Sequence, residues 1–248
     1  MPPKPRLRIF AGPNGSGKTT LYYNIKESYF STRLFINADL LEQEFKRQNY
    51  IDFATYAIDS TDETFQYFSK NQGQYAKAEF TGESWNLTIK ENVLVATNNV
   101  NQHFNSMHFA IVADFIRQEL IRKKISFSFE TVFSHPSKLQ LIDLAHQNGY
   151  KVYLYFVGTD SAEINEERVK DRVKKGGHFV KKEDIYKRYH RTMELLIQII
   201  KRCDVVYLWD NSQKKHAFVA ELKGDFFNFT PEYLPLWVSK YIIDKIQI

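Results

Sequence analysis

The amino-acid sequence predicts an α/β fold, with a three-layer α/β/α arrangement around a mainly parallel sheet of five strands. Short apolar segments rich in β-branched and aromatic residues recur along the chain, which is typical of strands buried on both faces. Helical patterns lie between these segments, and such alternation produces parallel crossover units. The predicted strands are residues 7–11, 33–37, 125–129, 151–158 and 204–210.

The intervening helices have recognisable limits. A helix is predicted from Lys18 to about residue 28, directly after the first strand. Residues 106–124 place apolar side chains at helical spacing along one face. A third helix is expected to begin near Pro136 and to stop at Gly149, which is a favourable residue after a helix C-terminus.

One interval, residues 50–105, interrupts the alternation. It contains a weak helical pattern in "STDETFQYFSKN" and an alternating stretch in which "TGES" is a candidate hairpin turn. We therefore expect a small hairpin and a helix inserted into a single domain of residues 1–248. Near the end of the chain, five residues are expected to pack back on the body of this domain: Phe226, Phe227, Phe229, Leu234 and Trp237.

Composition and charge exclude several classes of protein. Cys203 is the single cysteine, so the chain has no disulfide framework and no pair of cysteine metal ligands, which fits the cytoplasm. From the sequence we expect neither a secretory signal nor a membrane-spanning segment. Residues 168–191 contain ten Lys/Arg and three Asp/Glu, a local charge of +7. Since the whole chain is +5, the rest is −2. One concentrated basic patch favours a compact polyanion over a long nucleic-acid backbone.

The segment "GPNGSGKTT", residues 12–20, matches the pattern G-x-x-x-x-G-K-[ST] between a predicted strand and a predicted helix. Gly15 and Gly17 allow the backbone to wrap with its N–H groups pointing inward. Lys18 would reach the β- and γ-phosphates, and the hydroxyl of Thr19 would hold Mg²⁺. The predicted nucleotide-binding residues are Gly12, Pro13, Asn14, Gly15, Ser16, Gly17, Lys18, Thr19 and Thr20.

Two other nucleotide sites do not fit this segment. A dinucleotide fingerprint G-x-G-x-x-G starts at Gly15 but fails at Thr20, where the third glycine is required. Guanine specificity is unsupported because no N-K-x-D run occurs in the sequence. We therefore expect a P-loop NTPase site that takes ATP together with Mg²⁺.

Phosphoryl transfer also needs a group that orients or deprotonates the acceptor hydroxyl. Asp39 follows the second predicted strand, at the edge of an open α/β sheet where ligands gather. It is the candidate base, and an N-cap for the following helix is the alternative role. Glu130 ends the third predicted strand beside Thr131, where an acid can lie near the metal and the substrate. For Glu130 the alternative is a hydrogen bond at the strand end.

The basic patch predicts a helical lid over residues 168–191. Arg168 and Arg172 share one helical face, and Arg188 and Arg191 share a face of a second helix beyond the glycines of "KKGGH". A helix, a glycine break and a helix with inward arginines would close over a triphosphate and exclude water. His178 is expected to contact the lid or the substrate, and a solvated basic surface is the alternative.

Taken together, these motifs resemble the zeta toxin family of P-loop kinases. The similar segments occur in the family's order and cover most of residues 8–212; they are "FAGPNGSGKTT", "INAD", "FSFET", "GYKVYLYFVGT", "ERVKDRVKKGGHFV", "IYKRYHRTMELL" and "VVYLWDNS". The combination of F-E-T with R-V-x-x-G-G-H-x-V is much more specific than the P-loop alone. The resemblance is to the stand-alone branch of predicted ATPases more than to toxins paired with an antitoxin.

This resemblance implies ATP-dependent phosphorylation of a small hydroxyl compound, which in the toxin members is UDP-N-acetylglucosamine. It implies that Asp39 is the base, that Glu130 and Thr131 form the substrate and metal edge, and that Arg172 and Arg188 are the catalytic lid arginines. Arg168, His178 and Arg191 are further substrate contacts, and an antitoxin-like protein is a conceivable partner. The interval between Asp39 and Glu130 is longer than is usual in the family, so the acceptor is the least transferable property.

Two other functions stay open from the sequence. A polynucleotide kinase would use the same machinery on a 5′-hydroxyl, and the basic pI near 9.0 favours it. The aromatic residues of the 50–105 insertion are mixed in charge, however, so a nucleic-acid groove is not indicated. A nucleotide-dependent binding module would hydrolyse ATP slowly and transfer the phosphate to no acceptor.

Overall fold

The computed structural model describes residues 3–29, 34–77, 80, 84–97, 104–177, 179–224, 226–230 and 234–245. The strands are β1 Arg6–Ala11, β2 Phe35–Ile36, β3 Tyr50–Asp52, β4 Leu87–Lys90, β5 Val93–Ala96, β6 Phe127–Thr131, β7 Lys151–Gly158, β8 Val205–Asp210, β9 Ala217–Lys223 and β10 Phe226–Phe229. The helices are α1 Lys18–Tyr29, α2 Ala38–Gln48, α3 Asp62–Lys70, α4 Gly73–Lys77, α5 Ser106–Arg122, α6 Leu139–Gln147, α7 Ala162–Lys174, α8 Lys182–Ile200 and α9 Leu236–Tyr241. Short 3₁₀ segments occur at Phe53–Tyr56, Pro136–Lys138 and Ile243–Lys245. None of the helices in the described ranges has the length and apolar character that crossing a bilayer requires.

The chain forms two compact units. The first contains residues 1–35 and 126–248, and the second contains residues 36–125. The second unit therefore includes the expected insertion, 50–105, together with the helices α2 and α5 on either side of it.

A mainly parallel sheet of seven described strands runs through the first unit, in the order β10-β9-β8-β7-β1-β6-β2. The pairs β1–β6, β1–β7 and β7–β8 are parallel, which confirms the predicted α/β class. The sheet exceeds the five predicted strands because β9 and β10 extend it in antiparallel fashion. Their outer residues are solvated, so they lack the continuous apolar run on which the strand prediction depended.

The C-terminal aromatic residues divide between core and surface. Trp237 is 1% exposed, as expected, and its ring lies where a side chain at Gly158 would otherwise project. The expectation was wrong for Phe226, Phe227 and Leu234, whose side chains are 67%, 44% and 47% exposed, and Phe229 is half-buried. Phe226 and Phe227 belong to β10, which pairs only with β9 among the described strands and so lies at the edge of the sheet.

The second unit is built around a three-stranded antiparallel sheet in the order β3-β5-β4. A hairpin, β4–β5, is present in this unit, but its turn is at Glu91 and Asn92, with φ of 49° and 64°, and not at the predicted "TGES". Two positive φ values are typical of a two-residue hairpin turn, although glutamate is an unusual choice for it. Of the predicted "TGES" turn, residues 81–83 lie outside the described residues.

In the first unit, β1 lies between β6 and β7 and its apolar residues are fully buried. Leu7, Ile9, Phe10 and Ala11 are all 0% exposed. A strand fixed on both sides gives the following loop a rigid starting point at the carboxyl edge of the sheet. This is the edge at which open α/β sheets bind ligands.

Candidate functional site

The loop between β1 and α1 has the backbone shape of a phosphate cradle. Gly15 and Gly17 adopt φ of 75° and 93°, which side chains disfavour. A Cβ atom at Gly17 would also lie 2.5 Å from Asn211 Nδ2 and 2.8 Å from His216 Nε2. Both glycines are therefore required by this loop. The helix that follows begins at Lys18 and directs its positive N-terminal end to the same place.

Lys18 is held inside this loop. Its side chain is 5% exposed, and its Nζ donates to Pro13 O at 2.9 Å and lies 3.6 Å from Glu130 Oε1. A buried ammonium group is costly unless it is paired and hydrogen-bonded. The two oxygens therefore keep the cation at the position where a phosphate would compete for it.

Glu130 also contacts the residue after the lysine. Thr19 Oγ1 donates to Glu130 Oε2 at 2.6 Å, and β6 places Glu130 opposite Phe10 of β1. A hydroxyl and a carboxylate at this distance form an oxygen donor pair of the kind that Mg²⁺ prefers. Among the described residues, no group of three His, Cys, Asp or Glu side chains could hold a metal alone. A magnesium ion here would therefore complete its shell with phosphate oxygens and water.

Three buried donor atoms around the loop have no hydrogen-bond partner among the described residues. They are Ser16 Oγ in the loop and Asn165 Nδ2 and Arg168 Nη1 on α7. This helix is adjacent, since a Cβ atom at Gly15 would meet Asn165 O at 2.7 Å. Buried donors normally find an acceptor. An anionic ligand rich in oxygen would supply one, so the local chemistry fits a nucleotide phosphate.

The predicted lid consists of α7, a glycine break and α8. Gly176, in the glycine break, has φ of 82°. The carboxylate of Glu166 connects the two helices. Glu166 on α7 lies 2.6 Å from Lys170 Nζ and 3.1 Å from Lys182 Nζ, and it accepts a hydrogen bond from the hydroxyl of Tyr186 at 2.9 Å. The hydrogen bond from Lys170 is the main reason why the pKa of Glu166 is lowered to about 2.

Arg168 and Arg172 lie one turn apart on α7. Arg168 Nη2 donates to Gln213 O at 2.8 Å, and this bond connects α7 to the segment that follows β8. The carbonyl of Arg172 accepts from Gly177 N at 3.0 Å, and a Cβ atom at Gly177 would lie 2.5 Å from Arg172 Cγ. The glycine break therefore folds back closely over Arg172.

The second pair of predicted arginines lies on α8. Arg188 is half-buried and Arg191 is exposed to solvent. The helix is anchored to the unit by the hydroxyl of Tyr189, which donates to Thr159 O at 2.7 Å. His178 lies outside the described residues. The closing motion of this segment and the roles of its arginines stay predictions.

Comparison with known proteins gives the family. A protein-family model described as zeta toxin matches residues 95–220, just over half of the chain. The chain belongs to the zeta toxin family. The match begins after the phosphate loop and includes Glu130, α7, α8 and β8.

Individual relatives of this zeta toxin family member are distant or partial. A protein of Haemophilus influenzae described as uncharacterized is 39% identical over 69 residues, which is 28% of this chain and 49% of that protein. Two crystal structures of AvrRxo1-ORF1 with AvrRxo1-ORF2, one with sulphate ions and one with ATP, have TM-scores of 0.52 and 0.53 at 15% identity. Each covers 92% of this chain, whereas the chain covers 61% of the matched chain. They show a shared fold.

Asp39, the predicted base, belongs to the second unit, and its local structure is defined. The side chain of Asn37 caps α2 and accepts from Asp39 N at 2.8 Å and from Leu40 N at 3.3 Å. The alternative in which Asp39 is the N-cap was therefore wrong. Either residue type is a good cap, so residue preference alone did not distinguish them. Asp39 lies in the first turn with a half-buried side chain, and its catalytic role stays a prediction.

Thr131 has a structural contact of its own. Its side chain is 7% exposed, and its hydroxyl accepts from Phe133 N at 3.3 Å. Phe133 has φ of 57°, so this bond supports an unusual backbone turn after β6. A role of Thr131 in substrate binding stays a prediction.

Two residues of the zeta toxin fold at this site were missed from the sequence. Asn211 Nδ2 donates to Ser16 O at 2.8 Å, and His216 Nε2 lies 3.1 Å from Gly17 O. Asn211 lies in the "WDNS" segment that carried the family resemblance, but nothing local indicated that it reaches the phosphate loop. His216 had no signal in the sequence.

Proposed function

We propose that this chain is an ATP-dependent phosphotransferase that moves the γ-phosphate of ATP to a hydroxyl group of a small molecule. The observation that carries the proposal is the convergence of Lys18, Thr19 and Glu130 at the carboxyl edge of β1 and β6. Membership of the zeta toxin family and the shared fold with a protein crystallised with ATP support it.

The nucleotide would be bound mainly by charge and by backbone groups. The N–H groups of the phosphate loop and the first turn of α1 would donate to the phosphates, and Lys18 would leave Pro13 O for the β- and γ-phosphates. The unpartnered Ser16 Oγ and Arg168 Nη1 would gain acceptors in the same event. Since Ser16 N donates to Pro13 O at 3.2 Å, this N–H group would change its partner when a phosphate binds.

Thr19 and Glu130 would hold a magnesium ion with the phosphates. The ion would neutralise charge on the transferring phosphoryl group. Glu130 already accepts from Thr19, so the two oxygens are positioned before the ion arrives. Binding would require the Thr19 hydroxyl to turn its proton away from the carboxylate.

The acceptor side of the proposal depends on the family. We assign Asp39 as the base, Arg172 and Arg188 as the arginines that stabilise the moving phosphoryl group, and a UDP-sugar such as UDP-N-acetylglucosamine as the acceptor. The further substrate contacts assigned are Glu130, Thr131, Arg168, His178 and Arg191. An antitoxin-like protein is the proposed partner.

The test is phosphoryl transfer from γ-labelled ATP with magnesium, offered UDP-sugars, a metabolite extract and oligonucleotides in parallel. Lys18→Ala and Asp39→Asn are compared with Lys26→Ala and Asp59→Asn as matched controls. Label on a UDP-sugar, lost in the first two variants only, supports the proposal. Label only on oligonucleotides identifies a polynucleotide kinase, and free phosphate alone identifies a nucleotide-dependent module. Full transfer by Asp39→Asn would remove the base assignment and keep the kinase.

A further inference from the structure

The segment that follows β8, residues 211–216, contacts the phosphate loop through Asn211 and His216. The proposed function gives this segment no role. Asn211 is 8% exposed, and its own N–H donates to Gly158 O at 2.9 Å, which fixes its backbone to the end of β7. From that fixed position its side chain reaches Ser16 O at 2.8 Å. The segment returns to the loop at His216, whose ring lies against Gly17.

The protonation of His216 follows from its partner. A carbonyl oxygen only accepts hydrogen bonds, so Nε2 of His216 must carry the proton that is donated to Gly17 O. Burial lowers the pKa of the His216 imidazole, helped by the positive charge of Arg168, and this outweighs the opposing effects of the hydrogen bond to Gly17 and of Asp210. The ring is therefore a neutral donor at neutral pH.

These two bonds determine the direction of two other groups. In a trans peptide the C=O and the next N–H point in opposite directions. The carbonyl of Ser16 belongs to the same peptide as the N–H of Gly17, and the carbonyl of Gly17 belongs to the same peptide as the N–H of Lys18. Holding both carbonyls against Asn211 and His216 therefore turns both N–H groups away from these two side chains.

We propose that Asn211 and His216 are positioning residues that orient the N–H groups of Gly17 and Lys18 toward the nucleotide phosphates. This inference rests on the proposed function, because it requires a phosphate ligand in the loop. Donors that are oriented in advance need no reorganisation when the charge arrives, and this is the main source of electrostatic stabilisation in such sites. Without Asn211, a flipped Ser16–Gly17 peptide would present a carbonyl oxygen to the phosphates and repel them. Without His216, the Gly17–Lys18 peptide would keep only the helical bond from Leu21 N and would be held less firmly.

The glycine at position 17 has a second explanation in this arrangement. A Cβ atom there would come within 2.5 Å of Asn211 and 2.8 Å of His216, so any side chain would displace the two donors. Gly17 also accepts from Leu21 N at 3.0 Å, which is the first helical bond of α1. The same carbonyl therefore connects the positioning histidine to the start of the helix.

The experiment measures ADP and ATP affinity of the full chain by calorimetry, with thermal unfolding of each variant. Asn211→Ala and His216→Leu remove the donors, and His216→Gln keeps an amide donor of similar reach. The controls break bonds of the same kind elsewhere: Asn148→Ala loses Nδ2 to Leu144 O at 2.9 Å, and His146→Leu loses Nε2 to Arg202 O at 2.8 Å.

We expect about tenfold weaker binding for Asn211→Ala and His216→Leu, since each loses one hydrogen bond that orients a charged contact. We expect recovery in His216→Gln and no change in the controls. In the transfer assay, KM for ATP rises more than kcat falls. If His216→Leu does not fold, His216→Asn takes its place as the variant that loses the donor, because the shorter asparagine side chain does not reach Gly17 O. It is then compared with His216→Gln in the same way.

Three outcomes separate the hypotheses. Lower melting temperatures with unchanged affinity in Asn211→Ala and His216→Leu would overturn the positioning role and leave the kinase intact. Loss of affinity in His216→Gln equal to that in His216→Leu would also overturn it for the histidine. A wild-type chain that binds neither nucleotide would overturn the proposed function itself, and the positioning role with it.

Discussion

The phosphate loop and the predicted lid, which consists of α7, the glycine break and α8 and is called the α7–α8 elbow below, are both expected to bind phosphate. They are held in place by different kinds of contact. The loop is fixed by neutral hydrogen bonds to its backbone carbonyls from Asn211 and His216, both largely buried. The elbow is fixed by one carboxylate, Glu166, which is shared between two lysines and a tyrosine. Neutral buried bonds respond little to salt or acid, whereas an ion cluster with exposed lysines responds to both.

This difference suggests that the phosphate loop stays rigid while the α7–α8 elbow opens and closes. A cradle that must present N–H groups in fixed directions benefits from rigid supports. A segment that must open for the substrate benefits from contacts that break at low cost, because mobile lids are drawn from the less stable parts of a fold. The contacts of the loop and those of the elbow can be removed separately by substitution.

The largest effect is expected at Glu130. In Glu130→Gln the side chain keeps its shape and a carbonyl oxygen for Thr19 but loses the charge that faces Lys18 and the proposed magnesium ion. Transfer should fall by about 100-fold or more, as for other losses of a charged group at a reacting phosphate. The measurement is kcat in the labelled-ATP assay, with Glu221→Gln as control. A loss of less than about threefold in kcat would mean that the charge of Glu130 takes no part in phosphoryl transfer.

The next effect is expected at Gly17, and Gly149 provides its control. Gly149 has φ of 81°, and apart from its chain neighbours no described residue lies within 4 Å of the place that a Cβ atom would take, whereas Gly17 combines φ of 93° with two close neighbours. Each Gly→Ala change should destabilise the fold by about 1–2 kcal/mol through backbone strain. Only Gly17→Ala should also weaken ADP binding, by at least about tenfold, because the added carbon displaces both supports. Equal affinities of the two variants would show that the loop tolerates the displacement.

The two regions also differ in how far the sequence could predict them. Strand, glycine spacing and helix start are local signals, so Lys18 and Thr19 were predictable, and the position of Glu130 followed from strand ends that meet at one edge. The supports of the loop lie 195 and 199 positions away from it, and no local pattern encodes such a distance. They depend on how β8 pairs with β7, which only the folded chain defines.

In the elbow, too, the local features were predictable from the sequence, whereas the contact between its two helices was not. Its two helices and the glycine break between them were predictable from spacing, but the basic run drew attention to the arginines. The residue that ties the elbow, Glu166, lies just outside the predicted 168–191 segment. An acid that neutralises two lysines is recognisable only when the two helices are seen together, because Lys182 is on the second helix. The extra strands β9 and β10 were missed because exposed residues interrupt their apolar pattern.

A moderate effect is expected at Glu166. Glu166→Gln removes the charge that Lys170 and Lys182 share, so the elbow should open more often. The melting temperature should fall by a few degrees, and trypsin should cleave after Lys174 or Lys175 several times faster. The neighbouring Glu167→Gln, whose side chain is exposed, is the control. ADP affinity should stay within about twofold of wild type, since the loop has separate supports. Equal trypsin cleavage of both variants would contradict the role of Glu166.

The smallest effect is a dependence on acid pH that only the elbow should show. Lys170 first, then Tyr186 and Lys182, favour the charged form of Glu166 and lower its pKa from 4.5 to about 2, despite the opposing effects of burial and of Glu163 nearby. A carboxyl group with a lowered pKa in the folded state stabilises the fold fully above pH 4.5, and this contribution is lost as pH falls toward 2. The difference in melting temperature between wild type and Glu166→Gln should therefore be constant from about pH 7 to about pH 5 and shrink from about pH 4.5 to about pH 3. Because other carboxyl groups titrate equally in both proteins, the difference isolates Glu166. A difference that stays constant down to about pH 3 would show that the charge of Glu166 does not hold the elbow.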